Sequence, residues 1–121
     1  MVKEHVFGEC WLNCEWIPMG QDFTVMVFGG DVPHVGSVVM TEARPSLTGE
    51  GIGVTSSVIN RLGHKDEVIA RRFAEAIAIR AKCTVTCVCG IHIDHLTPEQ
   101  LGIVEQAAER LLVRVLADMD H

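Results

Sequence analysis

The segment Cys83–His92, CTVTCVCGIH, decides the fold of this chain. Small apolar residues alternate along it with hydroxyl-bearing and polar ones, and a period of two is typical of a β-strand with two unlike faces. One face carries Cys83, Val85, Cys87, Cys89 and Ile91, and the other carries Thr84, Thr86, Val88 and His92. The cysteine-rich face is therefore predicted to lie in the core.

Helical patterns flank this strand on both sides. Before it, a helix is predicted from Asp66 to Ala81, with an apolar stripe made of Ile69, Phe73, Ala76 and Ile77. After it, Thr97 as N-cap, Pro98 at the first helical position and Gln100 at the third open a second helix. Two helices can cover only one face of such a small sheet. The other face is left for solvent, a ligand or a second subunit.

The first third of the chain is predicted to form three strands, over residues 7–17, 23–28 and 35–41. From Arg44 to His64 the periodicity fails and glycine is frequent, so a long loop is predicted there. We therefore expect one α+β domain over residues 1–121. Its small, mostly antiparallel sheet has elements in the order β-β-β-loop-α-β-α, with two helices packed on one face.

Composition limits the possible functions. The apolar fraction of 48% indicates a globular protein, and the net charge of −6 argues against nucleic acid or an anionic membrane surface as the main partner. No run of about 18 apolar residues predicts a membrane span. The first residues lack the apolar run of a signal peptide, and the five cysteines lack Cys-x-x-Cys spacing. We expect a cytoplasmic protein with buried, reduced thiols.

Three histidines lie at predicted boundaries between elements, where side chains from distant segments meet. His34 follows a Gly-Gly-Asp turn, His64 precedes the first helix, and His92 ends the last strand. In an extended chain Asp94 projects the same way as His92, and imidazole with carboxylate is a usual ligand set for Zn, Mn or Fe(II). The pattern predicts a metal site formed by His34, His64, His92 and Asp94. Separate polar residues on loops are the alternative.

Two further segments have features of anion sites. Thr55-Ser56-Ser57 follows two glycines, and flexible glycines with hydroxyls can wrap a phosphate, although no known phosphate-binding motif is matched. Lys65 and Arg71 lie near the start of the first predicted helix, whose free N–H groups favour an anion. The alternatives are an ordinary surface loop and a solvated charged helix face.

Three short motifs occur in the order of a known family. They are Pro33-His34-Val35-Gly36, Gly63-His64-Lys65-Asp66 and Gly90-Ile91-His92-Ile93-Asp94. Together they resemble the LpdD-type chaperones of prenylated FMN, which are associated with UbiD-type decarboxylases, and the resemblance extends from the second strand to the last helix. It implies a homodimer that binds reduced prenylated FMN with the help of a divalent metal. Such a protein shelters the cofactor between the flavin prenyltransferase that makes it and the decarboxylase that uses it.

Carried over by position, the resemblance makes His34, His64 and His92 the candidate metal or cofactor ligands. We therefore expect a cofactor chaperone rather than a catalyst. The residues predicted to contact the cofactor are Lys65, Arg71, Thr55, Ser56, Ser57 and His92. One alternative is a metal-dependent hydrolase or lyase with Asp94 or Asp66 as general base. The other is a non-catalytic accessory subunit of a decarboxylase that acts through protein contacts alone.

Overall fold

The computed structural model describes residues 1–62 and 65–120. Within these ranges the secondary-structure elements are β1 (Val2–Phe7), β2 (Cys10–Met19), β3 (Asp22–Gly30), β4 (Ser37–Pro45), β5 (Ile52–Asn60), α1 (Lys65–Ala81), β6 (Thr84–His92) and α2 (Pro98–Met119). The strands form one sheet in the order β1-β2-β3-β6-β4-β5. The β3–β6 pair is parallel and the other pairs are antiparallel. The predicted α+β fold is confirmed.

The core lies between the sheet and the two helices. Every residue of the cysteine-rich face of β6 is buried, as the alternation predicts. α1 packs mainly on β4 and β6, and α2 packs on β1 and β2. Phe73 of α1 and Leu111 of α2 are among the largest fully buried side chains. Both helices therefore cover the same face of the sheet.

The cysteines belong to this core. All five are free and buried, which confirms the prediction of buried thiols without disulfides. Burial raises the pKa of Cys14 to about 12 and also raises the pKa values of Cys87 and Cys89. A raised pKa keeps these thiols protonated, whereas a metal such as zinc binds cysteine as the thiolate. The cysteines therefore pack as small apolar side chains.

The strand predicted over residues 7–17 is confirmed as β2, although it begins at Cys10. The prediction missed β1, which pairs antiparallel with β2 across a turn at Gly8. In β1 the buried Val2 and Val6 flank Glu4, whose carboxylate pairs with Arg110 and Arg114 of α2. The charged Glu4 between the two inward valines interrupts the alternation of apolar and polar residues, so the sequence pattern does not indicate a strand there.

The prediction of a loop from Arg44 to His64 is also wrong, because β5 pairs with β4 along its whole length. β5 forms one edge of the sheet, and its inward positions are only half buried. One of them is Ser56, whose hydroxyl bonds Thr41 and Glu75. A half-buried edge strand with a satisfied inward serine has too few apolar residues to show a strand pattern.

The second helix begins as predicted. Thr97 accepts a hydrogen bond from the Gln100 amide, the Gln100 side chain accepts one from the Thr97 amide, and Pro98 is the first helical residue. α1 also starts within one residue of its predicted position. No helix in residues 1–62 or 65–120 combines the length and apolar character needed to cross a membrane.

The sheet face opposite the helices, here called the open face, carries an apolar row across four strands. The strand register places Met26 beside Val88, Val88 beside Val38, and Val38 beside Ile59. Ile59 is 75% exposed, and Met40 of the neighbouring row is exposed as well. No helix covers this row within the described chain, as expected from the predicted one-sided packing.

Candidate functional site

The candidate site lies where β3 and β6 end side by side. The parallel register pairs Gly30 with His92, so both strands end at the same edge of the sheet. The loop that follows β3 is anchored there, because the Asp31 amide donates to the His92 carbonyl at 2.6 Å. This pairing brings two of the three sequence motifs together.

Two glycines allow the loop to cross β6. A Cβ at Gly90 would overlap the backbone carbonyl of His34, and a Cβ at Gly36 would overlap the Asp66 carboxylate. The Gly36 amide then donates to the Cys89 carbonyl at 2.9 Å, which starts the β4–β6 pairing. Close approach of these neighbours therefore requires glycine at Gly36 and Gly90.

Asp66 is the buried polar residue at the centre of this crossing, with only 5% of its surface exposed. One carboxylate oxygen accepts the Ile91 N–H at 3.1 Å, and the other lies 3.3 Å from His34 Nε2. β4 pairs with β6 only as far as Cys89, so the Ile91 amide has no strand partner from β4. The carboxylate supplies the missing acceptor, and the start of α1 favours its negative charge.

Both ring nitrogens of His34 face acceptors. Nδ1 lies 3.0 Å from the Val32 carbonyl and Nε2 lies 3.3 Å from Asp66. A ring nitrogen that donates a hydrogen bond has no lone pair available for a metal. A neutral imidazole donates through only one of its two nitrogens, so these two contacts orient the ring and leave the other nitrogen with its lone pair.

His92 and Asp94 form a second, exposed pair. His92 Nε2 lies 2.9 Å from Asp94 Oδ1, so the two side chains project the same way as predicted. The Asp94 amide donates to the Asp31 carboxylate at 2.8 Å, which ties the end of β6 to the loop after β3. These contacts hold His92 and Asp94 at the edge of the site, where both are open to solvent.

Of the residues predicted to bind a metal (His34, His64, His92 and Asp94), His92 pairs with Asp94, whereas His34 pairs with Asp66. Within residues 1–62 and 65–120, no group of three or more histidine, cysteine, aspartate or glutamate side chains could hold a metal ion. His64 lies outside the described residues. The metal site therefore stays a prediction, and it now depends on His64.

Most of the predicted anion-binding residues already have partners. Thr55 and Ser56 lie on β5, where Thr55 accepts from Arg44 at 2.8 Å and Ser56 donates to Glu75 at 2.8 Å. The guanidinium of Arg71 pairs with Glu67 at 3.2 Å and with Glu75 at 3.5 Å.

The remaining two anion candidates differ in their surroundings. Ser57 is exposed on β5 and pairs in register with Met40 of the open face. Lys65 forms no hydrogen bond or ion pair with the parts of the chain that the structure describes, and it is adjacent to Asp66. Lys65 is therefore the cation of the predicted set that is available to a ligand.

An apolar pocket of about 290 Å³ adjoins His34 on the open face. It is lined by Met26, Val27, Phe28, Pro33, His34, Val35 and Val88. Sequence analysis missed this pocket as part of the site. The available signal was that β3 is apolar on both faces, although helices can cover only one of them.

Comparisons with known proteins agree with the sequence motifs. The model of the family described as "Prenylated flavin chaperone LpdD-like domain" matches residues 7–120. Protein LpdD of Lactiplantibacillus plantarum is 28% identical over 103 residues, which cover 82% of this chain and 70% of that protein. A chaperone complex for yeast 20S proteasome assembly has a similar fold, with a TM-score of 0.61 over 98% of this chain and 93% of that chain. At 10% identity this last likeness concerns the fold alone.

The metal site can be tested by elemental analysis. Wild-type protein is expected to retain a divalent metal that a His64→Ala, His92→Ala double variant loses, because two imidazole ligands are removed. A His5→Ala variant is the control, since the His5 ring bonds the Gly8 carbonyl and lies on β1, three strands from β6 in the sheet. Equal metal content in the wild type and the double variant would show that these histidines bind no metal.

The role of Asp66 can be tested by urea denaturation. Asp66→Ala leaves the buried Ile91 N–H without an acceptor, so unfolding should require about 1–3 kcal/mol less than in the wild type. Asp66→Asn keeps an oxygen at that position and is expected to recover most of the loss. An alanine variant as stable as the asparagine variant would contradict the assigned hydrogen bond.

Proposed function

Because this chain belongs to the prenylated flavin chaperone LpdD-like family, we propose that it binds prenylated FMN where β3 and β6 end. It shelters the cofactor after a flavin prenyltransferase has made it and delivers it to a UbiD-type decarboxylase. The observation that carries the location is the apolar pocket beside His34. Membership of a family of chaperones also agrees with the expectation that this protein is not itself a catalyst.

The chemistry of the cofactor matches the two parts of the site. Prenylated FMN combines a large, mostly apolar ring system with one phosphate dianion. Its ring system needs an enclosed apolar surface with a few placed polar groups, and its phosphate needs positive charge. Met26, Phe28 and Val88 offer the apolar surface, and His34 lies at its margin.

The position of the pocket supports a homodimer. The pocket measures about 290 Å³ and opens on the face of the sheet that no helix of the described chain covers. A second copy against the open face would cover the exposed apolar row from Met26 to Ile59 and close the pocket from the other side.

Lys65 is the proposed phosphate contact. A chain with a net charge of −6 has to supply positive charge locally, and Arg71 is already neutralised by two carboxylates. Lys65 is also the first residue of α1, where the helix favours an anion. A divalent metal enters the proposal through His34, His64, His92 and Asp94, the predicted ligand set. There it would supply further positive charge beside the phosphate.

The two alternative functions make different demands. A hydrolase or lyase would need an available general base. The Asp66 carboxylate is buried between the Ile91 amide and His34, so Asp94, exposed beside His92, is the remaining candidate, and turnover by the isolated protein would favour this alternative. A purely structural accessory subunit would bind its decarboxylase but not the cofactor. Cofactor titration therefore separates the accessory subunit from the chaperone.

An anaerobic titration with prenylated FMN tests the role of Lys65. A lysine–phosphate contact contributes about 1.5–3 kcal/mol, so Lys65→Ala is expected to raise the Kd by roughly ten- to a hundredfold. Lys82→Ala is the matched control, because Lys82 follows the opposite end of α1 and is exposed. Equal effects of the two substitutions would remove Lys65 from the site.

The same titration with unmodified FMN tests specificity. A chaperone that also bound the abundant FMN would be saturated by the wrong ligand, so wild-type protein is expected to prefer the prenylated form strongly. Equal affinity for both, or binding of neither, would overturn the chaperone function. Failure to bind either flavin would favour the accessory subunit.

Light scattering tests the dimer and its face. Wild-type protein is expected to have the mass of two chains at micromolar concentration. Ile59→Asp places a carboxylate in the apolar row and should shift the protein to monomers, because burying an unpaired charge is costly. Val113→Asp is the control, since Val113 is 65% exposed on α2. A monomeric wild type, or a dimeric Ile59→Asp variant, would contradict the proposed interface.

A further inference from the structure

Arg61 lies against the loop that forms one wall of the pocket beside His34. Its guanidinium Nη1 donates to the Val35 carbonyl at 3.2 Å, and its backbone N–H donates to the Gly36 carbonyl at 2.8 Å. Val35 is itself one of the residues that line the pocket. The side chain and the backbone of Arg61 are therefore both bonded to this wall, and they hold a cation at the margin of the pocket.

The strand pairing indicates that Arg61 lies on the same side of the sheet as the pocket. Ile59 of β5 lies on the open face, and the bond from Arg61 to Gly36 continues the β4–β5 pairing by one residue. Side chains alternate between the two faces along a strand, so Arg61 follows Ile59 onto the open face. The pocket opens on that face as well.

The charge of Arg61 is available to a ligand. No carboxylate in residues 1–62 or 65–120 pairs with its guanidinium, whose acceptor there is the neutral Val35 carbonyl. Arg71, by contrast, pairs with two carboxylates, and Arg72 pairs with Glu109. A carbonyl fixes the position of a guanidinium without balancing its charge, so the remaining N–H groups of Arg61 can bind an anion.

We propose that Arg61 binds the phosphate of prenylated FMN. The inference rests on the proposed function, which supplies the ligand. It places the phosphate on the β4–β5 side of the pocket and the ring system against Met26 and Phe28 of β3. The ring system and the phosphate are then recognised by different parts of the site, so an experiment can remove one contact without the other.

Arg61 adds a second positive charge to that of Lys65. The phosphate is a dianion, so Lys65 alone would balance only part of its charge. Arg61 and Lys65 border the same connection between β5 and α1. Both ends of this connection meet the loop at Gly36, through the Arg61 amide and the Asp66 carboxylate. A planar guanidinium can also bind two phosphate oxygens at once, which an ammonium group cannot do with the same geometry.

Anaerobic titration of the full chain with prenylated FMN, and with the same cofactor after a phosphatase has removed its phosphate, tests this contact. Arg61→Gln keeps a side-chain N–H for the Val35 carbonyl but removes the charge. It is expected to raise the Kd for prenylated FMN by about tenfold or more and to leave the Kd for the dephosphorylated cofactor unchanged. Arg61→Lys keeps the charge without the planar group, so its Kd for prenylated FMN should lie between those of Arg61→Gln and the wild type.

Arg44→Gln is the matched control. Within the described chain Arg44 also bonds only neutral oxygens, but it lies at the other end of the β4–β5 pair from Arg61. This variant should bind both forms of the cofactor as the wild type does. The unchanged affinity of Arg61→Gln for the dephosphorylated form would also show that this variant is folded.

Two results would overturn the assignment. Equal affinity of Arg61→Gln and Arg44→Gln for prenylated FMN would show that Arg61 does not bind the phosphate. An equal loss of affinity for the intact and the dephosphorylated cofactor would show that Arg61 acts only by holding the loop at Val35. Wild-type protein that binds neither form would instead overturn the proposed function itself, so the two failures are distinguishable.

Discussion

The hydrogen bond between the Asp66 carboxylate and the Ile91 amide is the contact on which the site depends. β6 continues beyond the last residue that β4 pairs with, so a buried amide needs an acceptor from elsewhere. Asp66 supplies it from the first turn of α1, and its second oxygen faces His34. One carboxylate thereby joins the end of a strand, the start of a helix and the loop after β3.

This junction connects the two sides of the sheet. Asp66 comes from the helix layer, whereas the apolar pocket beside His34 opens on the uncovered face. Gly36 and Gly90 allow the loop to pass close enough for both contacts. The open face therefore offers apolar surface for the proposed flavin beside a loop that the helix layer holds in place.

Sequence patterns predicted the elements that are specified by residues close together in the chain. Strand β6 and the cap of α2 were predictable because alternation and the Thr97–Gln100 capping box are encoded by neighbouring residues. β1 and β5 were not, since Glu4 and Ser56 occupy inward positions and are satisfied by residues distant in the chain. The motifs name residues that meet where β3 and β6 end, but the approach of the Asp66 carboxylate to His34 is a tertiary contact that spacing cannot reveal.

Native mass spectrometry under anaerobic conditions tests the central claim most directly, because one spectrum reports the number of chains and the ligand they retain. Wild-type protein would be mixed with equal amounts of reduced prenylated FMN and FMN. We expect a species of two chains that carries prenylated FMN and excludes FMN. A single chain without ligand, or a dimer that retains both flavins equally, would contradict it.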